Sequence, residues 1–141
     1  MQGRYSYSYT LYASNIPRTE ADDLVARAAN IQQVANYIDT WSIGNSVIVF
    51  GDTNSRYTRV ADKITVFQTQ SGLIDPFVQL MRGGVNPTVE TLCDNPSLIN
   101  TCETVDKVFY RGSKQLKLEA TYFNYESSKF EQADGSILSD Q

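Results

Sequence analysis

The chain has 141 residues, which favours one domain, and 41% of them are hydrophobic, so a core can form. The chain contains 12 Lys and Arg and 16 Asp and Glu, which gives a net charge of −4 at pH 7. This charge disfavours binding of nucleic acid through a broad electrostatic surface. Histidine is absent, which excludes histidine zinc sites and histidine acid–base catalysis within this chain. No apolar run is long enough for a transmembrane helix, and the N-terminus has no signal-peptide core.

Three elements are predicted in the first half of the chain. Period-two alternation predicts a strand over residues 5–12. Thr19 and Asp22 form a capping-box pattern, and an apolar stripe behind them predicts an amphipathic helix that ends near Trp41. The stripe consists of Leu24, Ala28, Ile31, Ala35 and Ile38. The apolar run 46–50, bounded by turn formers, predicts a strand buried on both faces.

Shorter patterns follow in the second half. In chain order they predict a short helix or irregular segment over 62–70, a helix over 77–81 that stops at Gly83, a long loop over 85–104, strands over 104–110 and 116–123, a polar loop or helical turn over 125–134, and the start of a strand at Ile137. This order of elements predicts a mixed α/β (α+β) layered fold.

The two cysteines, Cys93 and Cys102, flank eight residues that are rich in turn formers. We expect them to form a disulfide, which the loop-entropy relation values at about 2.5–3 kcal/mol. Two free thiols of a cytosolic protein are the alternative. An oxidised pair would imply an extracellular origin, although the chain shows no signal peptide.

The strand that ends at Phe50 runs into a polar turn that begins at Gly51. Ligand sites of layered α/β folds lie at the carboxyl ends of buried strands, so Asp52 and Asn54 are candidate site residues. Asp52 would orient a nucleophilic water or hold a cation, and Asn54 would bind a phosphoryl oxygen. Arg56 and Arg59 are suited to forked contacts with phosphate. The alternative is an ordinary turn with solvated arginines.

Two further acids extend this set. Asp106 lies in an otherwise apolar strand, where a carboxylate needs a partner or solvent, and Asp140 follows near the end of the chain. Each alone is typical of a surface acid. Together with Asp52, at the ends of successive strands, they resemble the carboxylate set of a metal-assisted phosphoesterase.

The order of four segments resembles the endonuclease/exonuclease/phosphatase superfamily, with its deoxyribonuclease-I-like fold. The segments are 26–34, 47–54, 103–110 and 137–140, and the match covers about residues 9–141. Details of 51–59 and 102–113 resemble a fungal, secreted branch. The resemblance implies part of a four-layer α/β/β/α sandwich, with residues 1–141 as an incomplete, C-terminal portion of the domain.

The resemblance also implies roles. Asp52 and Asn54 match the pair that positions the nucleophile and the scissile phosphate, Asp106 matches the acid that pairs with a terminal histidine, and Asp140 matches an Asp near the Mg²⁺. Arg56, Tyr57 and Arg59 would line the mouth of the cleft and contact substrate. Family members hydrolyse phosphodiesters or phosphomonoesters with Mg²⁺. The expected partner is a phosphorylated small molecule, a lipid head group or nucleic acid, bound by a monomer.

The departures from the family pattern concern histidine and length. Gln141 occupies the position of the family's base histidine, and the second histidine would fall near Ser14. The family's metal-binding Glu has no counterpart here. We therefore expect a weak or inactive phosphoesterase, either the C-terminal part of a longer protein or an inactive paralogue. The alternatives are a non-catalytic module that binds a phosphate ligand and an interaction domain in which the Asp-x-Asn turn is structural.

Overall fold

The structure is a computed structural model that describes residues 19–138. Helix α1 spans Glu20–Trp41 and begins with the predicted capping box. The Asp22 N–H donates to Thr19 Oγ1 at 3.2 Å, and the Thr19 N–H donates to Asp22 Oδ2 at 3.0 Å. Three residues of the predicted stripe are buried, namely Ile31, Ala35 and Ile38. The predicted amphipathic helix is confirmed.

Strands β1 (Val47–Asp52) and β2 (Asp106–Arg111) form a two-stranded antiparallel sheet. Their register places Val49 opposite Phe109 and Asp52 opposite Asp106. Val47 and Val49 pack against the core that includes α1, but Phe50 on the other face is 78% exposed. The prediction that β1 is buried on both faces is wrong, because the described residues cover only one face of this sheet.

The core lies between α1, the inner face of the sheet and two short helices, α2 (Val66–Thr69) and α3 (Pro76–Met81). The Phe67 and Phe109 rings meet edge to face with centroids 5.1 Å apart. Helix α3 confirms the predicted helix at 77–81. Its N-cap is Asp75, whose Oδ1 accepts from the Phe77 N–H at 2.8 Å.

The remaining segments are mostly irregular. Two 3-10 turns lie at Val60–Asp62 and Ser127–Lys129, and an isolated bridge joins Glu131 to Ile137. The predicted strand over 116–123 is wrong, because its alternating residues find no partner strand among residues 19–138. The strand predicted over 5–12 lies outside the described residues. The mixed helix-and-strand class is confirmed, and no helix within 19–138 is long and apolar enough to cross a membrane.

The predicted disulfide between Cys93 and Cys102 is present, with the two Cα atoms 4.8 Å apart. Two backbone hydrogen bonds next to the disulfide also join the ends of the loop. The Cys93 N–H donates to the Glu103 carbonyl at 3.0 Å, and the Glu103 N–H donates to the Thr91 carbonyl at 2.7 Å. Disulfides persist in oxidising compartments, so this bond is typical of proteins outside the reducing cytoplasm.

Candidate functional site

Two acids meet at one end of the sheet. Asp52 is the last residue of β1, Asp106 is the first of β2, and the two are directly opposite in the register. Such cross-strand neighbours have Cβ atoms about 4.5–5.5 Å apart. Both acids are exposed at the residue level. Partial burial raises the pKa of Asp106, and the nearby negative charge of Asp52 raises it further. The structure therefore brings these two predicted site residues together.

The turn after β1 is fixed by its own hydrogen bonds. Asp52 Oδ1 accepts from the Asn54 N–H at 2.7 Å, and Asn54 adopts a left-handed conformation with φ 46°. Asparagine tolerates this conformation better than most residues. Thr53 donates to the Val105 carbonyl through its N–H at 3.2 Å and its hydroxyl at 2.8 Å. The turn is thus tied to the segment that leads into Asp106.

A groove of about 230 Å³ runs between the N-terminal half of α1 and the end of β1. Asp52 and Asn54 line one wall, and Arg27 and Asn30 line the other. Its apolar lining comes from Ile31, Val34, Val49, Phe50 and Phe67. The groove is smaller than the roughly 300–1,000 Å³ typical of pockets for drug-sized ligands, so it suits a small group.

Arg59 makes hydrogen bonds within the turn after β1. Its guanidinium donates to the Asn54 carbonyl at 2.5 Å and to Asp62 Oδ2 at 2.6 Å. Asp62 is fully buried, and it also accepts from the Arg56 N–H at 3.0 Å and from Arg27 Nε at 3.3 Å. Sequence reasoning put Arg59 at the cleft mouth and missed Asp62. The structure makes both of them positioning residues for the turn.

Arg56 lies nearer to the position that the sequence predicted. Its side chain is partly exposed and pairs with Glu90 at 3.0 Å. The Thr58 hydroxyl donates to the same carboxylate at 3.4 Å. A phosphate that used Arg56 would therefore compete with Glu90.

Tyr57 does not line the cleft mouth, so that prediction is wrong. Its side chain is buried, and its hydroxyl donates to Asp75 Oδ2 at 2.7 Å. Its backbone N–H donates to Glu103 Oε1 at 2.8 Å. Lys107 Nζ lies 4.8 Å from the centre of the Tyr57 ring. Tyr57 therefore anchors the loop after the site to the core.

The buried groups around Tyr57 form a charged network that the sequence did not reveal. Lys107 Nζ lies 2.6 Å from Glu103 Oε1, and both side chains are almost wholly buried. Burial lowers the pKa of Lys107, although the Glu103 carboxylate opposes this shift. Burial also raises the pKa of Asp75. The network links the loop after Asp52 to the segment before Asp106.

The described residues do not by themselves form a metal site. Within 19–138, no group of three or more His, Cys, Asp and Glu side chains is arranged to hold an ion. The predicted ligand Asp140 lies outside the described residues, as do the positions that would carry the family histidines, Ser14 and Gln141.

The acid pair predicts a measurable titration. The Asp52→Asn variant is expected to lower the pKa of Asp106, because one cause of its raised value, the neighbouring charge, is removed while burial remains. Carboxyl-carbon NMR across the acidic pH range measures the pKa of Asp106.

The same change affects the pH dependence of stability. A folded carboxyl with a raised pKa stabilises the protein below its ordinary pKa, and that contribution is lost as pH rises through the raised value. The Asp52→Asn variant should therefore lose less stability than the parent chain as pH rises through this range. An unchanged Asp106 titration would contradict the pairing, and Asp94→Asn is the control.

The chain is similar to curated proteins named sphingomyelinase. Those of Mycobacterium tuberculosis (strain ATCC 25618 / H37Rv) and Mycobacterium bovis (strain ATCC BAA-935 / AF2122/97) are 39% identical to it over 112 residues. The match covers 79% of this chain and 22% of each relative, so the chain spans about a fifth of the length of these proteins. No protein-family profile and no solved structure matches the chain.

Proposed function

We propose that this chain carries part of the phosphate site of a sphingomyelinase-like phosphodiesterase. The observation that carries the proposal is the meeting of Asp52, Asn54 and Asp106 at one end of the sheet, beside a small groove. The 39% identity to sphingomyelinases supports a choline-lipid head group as the ligand. We further propose that the chain forms part of a deoxyribonuclease-I-like sandwich, that it belongs to a fungal secreted branch, and that it is located outside the cell.

The proposed roles follow from the contacts of the turn. Asn54 is held in place through its backbone, so its side-chain amide can donate to a phosphoryl oxygen. Asp52, oriented by the Asn54 N–H, orients a water for attack on phosphorus. Mg²⁺, with Asp140 as a ligand, belongs to the proposal because of the superfamily resemblance. Hydrolysis by this chain alone is expected to be weak, because it has no imidazole to take up a proton near neutral pH.

A second candidate is a non-catalytic module that binds a phosphate ligand in the same groove. The absence of histidine favours it, because binding needs the donors of Asn54 and Arg56 but no general base. The two candidates differ in turnover and share the binding site.

The test combines binding with turnover. Phosphocholine is titrated into the labelled chain with Mg²⁺, and backbone NMR shifts are followed. We expect shifts to cluster at Asp52–Asn54 and Arg56, and Asn54→Ala to weaken binding about tenfold, which corresponds to one lost hydrogen bond to a charged group. Sphingomyelin hydrolysis is measured in parallel, and Asp52→Asn should abolish any activity.

Glu119→Gln is the matched control, since Glu119 is exposed and pairs with the exposed Lys117. Binding without hydrolysis would select the non-catalytic module. Absence of shifts at the turn, or equal binding by Asn54→Ala and the parent chain, would refute both candidates and leave the turn structural.

A further inference from the structure

An exposed carboxylate occupies two donors that follow the turn after β1. Glu90 Oε1 lies 3.0 Å from Arg56 Nη1, and Glu90 Oε2 accepts from the Thr58 hydroxyl at 3.4 Å. The Glu90 side chain is 48% exposed, and that of Arg56 is 27% exposed. A guanidinium and a hydroxyl that hold both oxygens of a carboxylate are equally suited to two oxygens of a phosphate. We define Arg56 and Thr58 as the oxyanion cradle.

The backbone of the cradle is held by buried acids. The Arg56 N–H donates to Asp62 Oδ2 at 3.0 Å, and the Tyr57 N–H donates to Glu103 Oε1 at 2.8 Å. Both acids are almost wholly buried. Neither hydrogen bond involves Glu90, so the backbone that carries the two donors is held in place without it.

Glu90 uses only part of the hydrogen-bonding capacity of Arg56. The hydrogen bond between the two side chains involves Nη1, whereas Arg56 Nε is enclosed and has no hydrogen-bond partner within residues 19–138. A phosphate monoester carries about 1.5–2 negative charges at pH 7 and three acceptor oxygens. Exposed ion pairs such as Glu90 with Arg56 are weak. A phosphate of this kind can therefore replace the carboxylate.

The chain next to Glu90 is tied to the cradle from the other side. The Thr91 carbonyl accepts from the Glu103 N–H at 2.7 Å, and the Cys93 N–H donates to the Glu103 carbonyl at 3.0 Å. Because the Glu103 side chain also accepts from the Tyr57 N–H, one residue joins the segment that carries Glu90 to the segment that carries the cradle. Glu90 is thus kept at a high effective concentration beside the cradle.

We propose that the oxyanion cradle binds a ligand phosphate and that Glu90 is its internal competitor, which leaves Arg56 and Thr58 when the ligand binds; this rests on the proposed function. The ligand class is a phosphate dianion, either on a choline head group or free in solution. Removal of the Glu90 charge therefore strengthens binding. An ion pair that only stabilised the fold would not have this effect.

The test is titration of inorganic phosphate and, separately, phosphocholine into the parent chain and the Glu90→Gln variant at constant ionic strength, followed by backbone NMR. We expect Glu90→Gln to bind about two- to fivefold more tightly, which corresponds to the loss of a competing exposed ion pair. Adding Thr58→Val to that variant should weaken binding about fivefold, because one hydrogen bond to the phosphate is lost.

The matched control is Glu119→Gln, which removes the same charge from an exposed pair with Lys117 and should bind like the parent chain. Departure of Glu90 has its own signal. In the parent chain the side-chain carboxyl-carbon resonance of Glu90 should shift as phosphate is added, whereas that of Glu119 should not. A tighter fit for inorganic phosphate alone would identify the ligand as free phosphate, and one for phosphocholine alone would identify the head group.

Three results would overturn the inference. They are equal affinities of Glu90→Gln and the parent chain for both ligands, a Glu90 resonance that stays fixed while the Arg56 amide shifts, and no binding of either ligand by Glu90→Gln. The proposed function is read separately, from Asn54→Ala and phosphocholine. If Asn54→Ala binds like the parent chain while Glu90→Gln binds phosphate more tightly, the cradle stands and the proposed function fails. The reverse pattern refutes the cradle alone.

Discussion

Replacement of Lys107 by methionine is expected to lower the free energy of unfolding at pH 7 by about 3–5 kcal/mol. The substitution keeps most of the side-chain volume but removes the charge that lies 2.6 Å from Glu103 Oε1. The buried carboxylate then keeps only the Tyr57 N–H as a donor at that oxygen, and its Oε2 atom is already unpartnered among the described residues. Urea denaturation with the disulfide oxidised measures the change.

The double variant Glu103→Gln, Lys107→Met is the matched control for this prediction. The side-chain amide oxygen at position 103 of that variant can still accept from the Tyr57 N–H, and no unpaired charge remains, so we expect most of the loss to be recovered. The lowered pKa of Lys107 supports this, because it shows that pairing with Glu103 does not fully offset burial. A single variant as stable as the parent chain, or a double variant as unstable as the single one, would contradict the prediction.

The Phe109→Ala variant is expected to lose about 3–5 kcal/mol of stability, from lost burial and the cavity that remains. Phe109 is fully buried on the inner face of β2, and its ring meets Phe67 edge to face. Small domains have about 5–15 kcal/mol in total, so a loss of this size removes a large share of the stability. Scanning calorimetry and urea denaturation measure the loss.

Val108→Ala provides the comparison within the same strand. Val108 precedes Phe109, but its side chain lies on the opposite, exposed face of the sheet. We expect it to cost less than about 1 kcal/mol. Equal losses for the two variants would mean that the sheet is covered on both faces in solution, in conflict with the inner and outer faces described above.

Local signals in the sequence predicted the helical elements well. The capping box at Thr19 and the stripe through Ile31 and Ile38 act within one or two turns of helix, so they needed no knowledge of the rest of the chain. Strands depend on partners. The alternation over 116–123 looks like that of a true strand, but no neighbouring strand within 19–138 pairs with it.

The candidate site was predicted only in part, for the same reason. Asp52 and Asn54 follow a strand directly, and Asp106 opens the next one, so their meeting could be expected. The groups that fix them are remote in sequence. Asp62 meets Arg27 across 35 positions, and Glu103 meets the Tyr57 backbone across 46. Spacing alone could not show that Tyr57 faces the core.

The pairing of Arg59 with Asp62 separates two arginines that look equivalent in the sequence. Arg59 donates to the carbonyl of Asn54 within the turn, whereas Arg56 is partly exposed and pairs with the exposed Glu90. A combinatorial library aimed at new ligand preferences should accordingly randomise Arg56 together with Glu90 and leave Arg59 and Asp62 invariant. The variants in such a library would differ in ligand selectivity, while the contacts that hold the turn in place would be kept in every one of them.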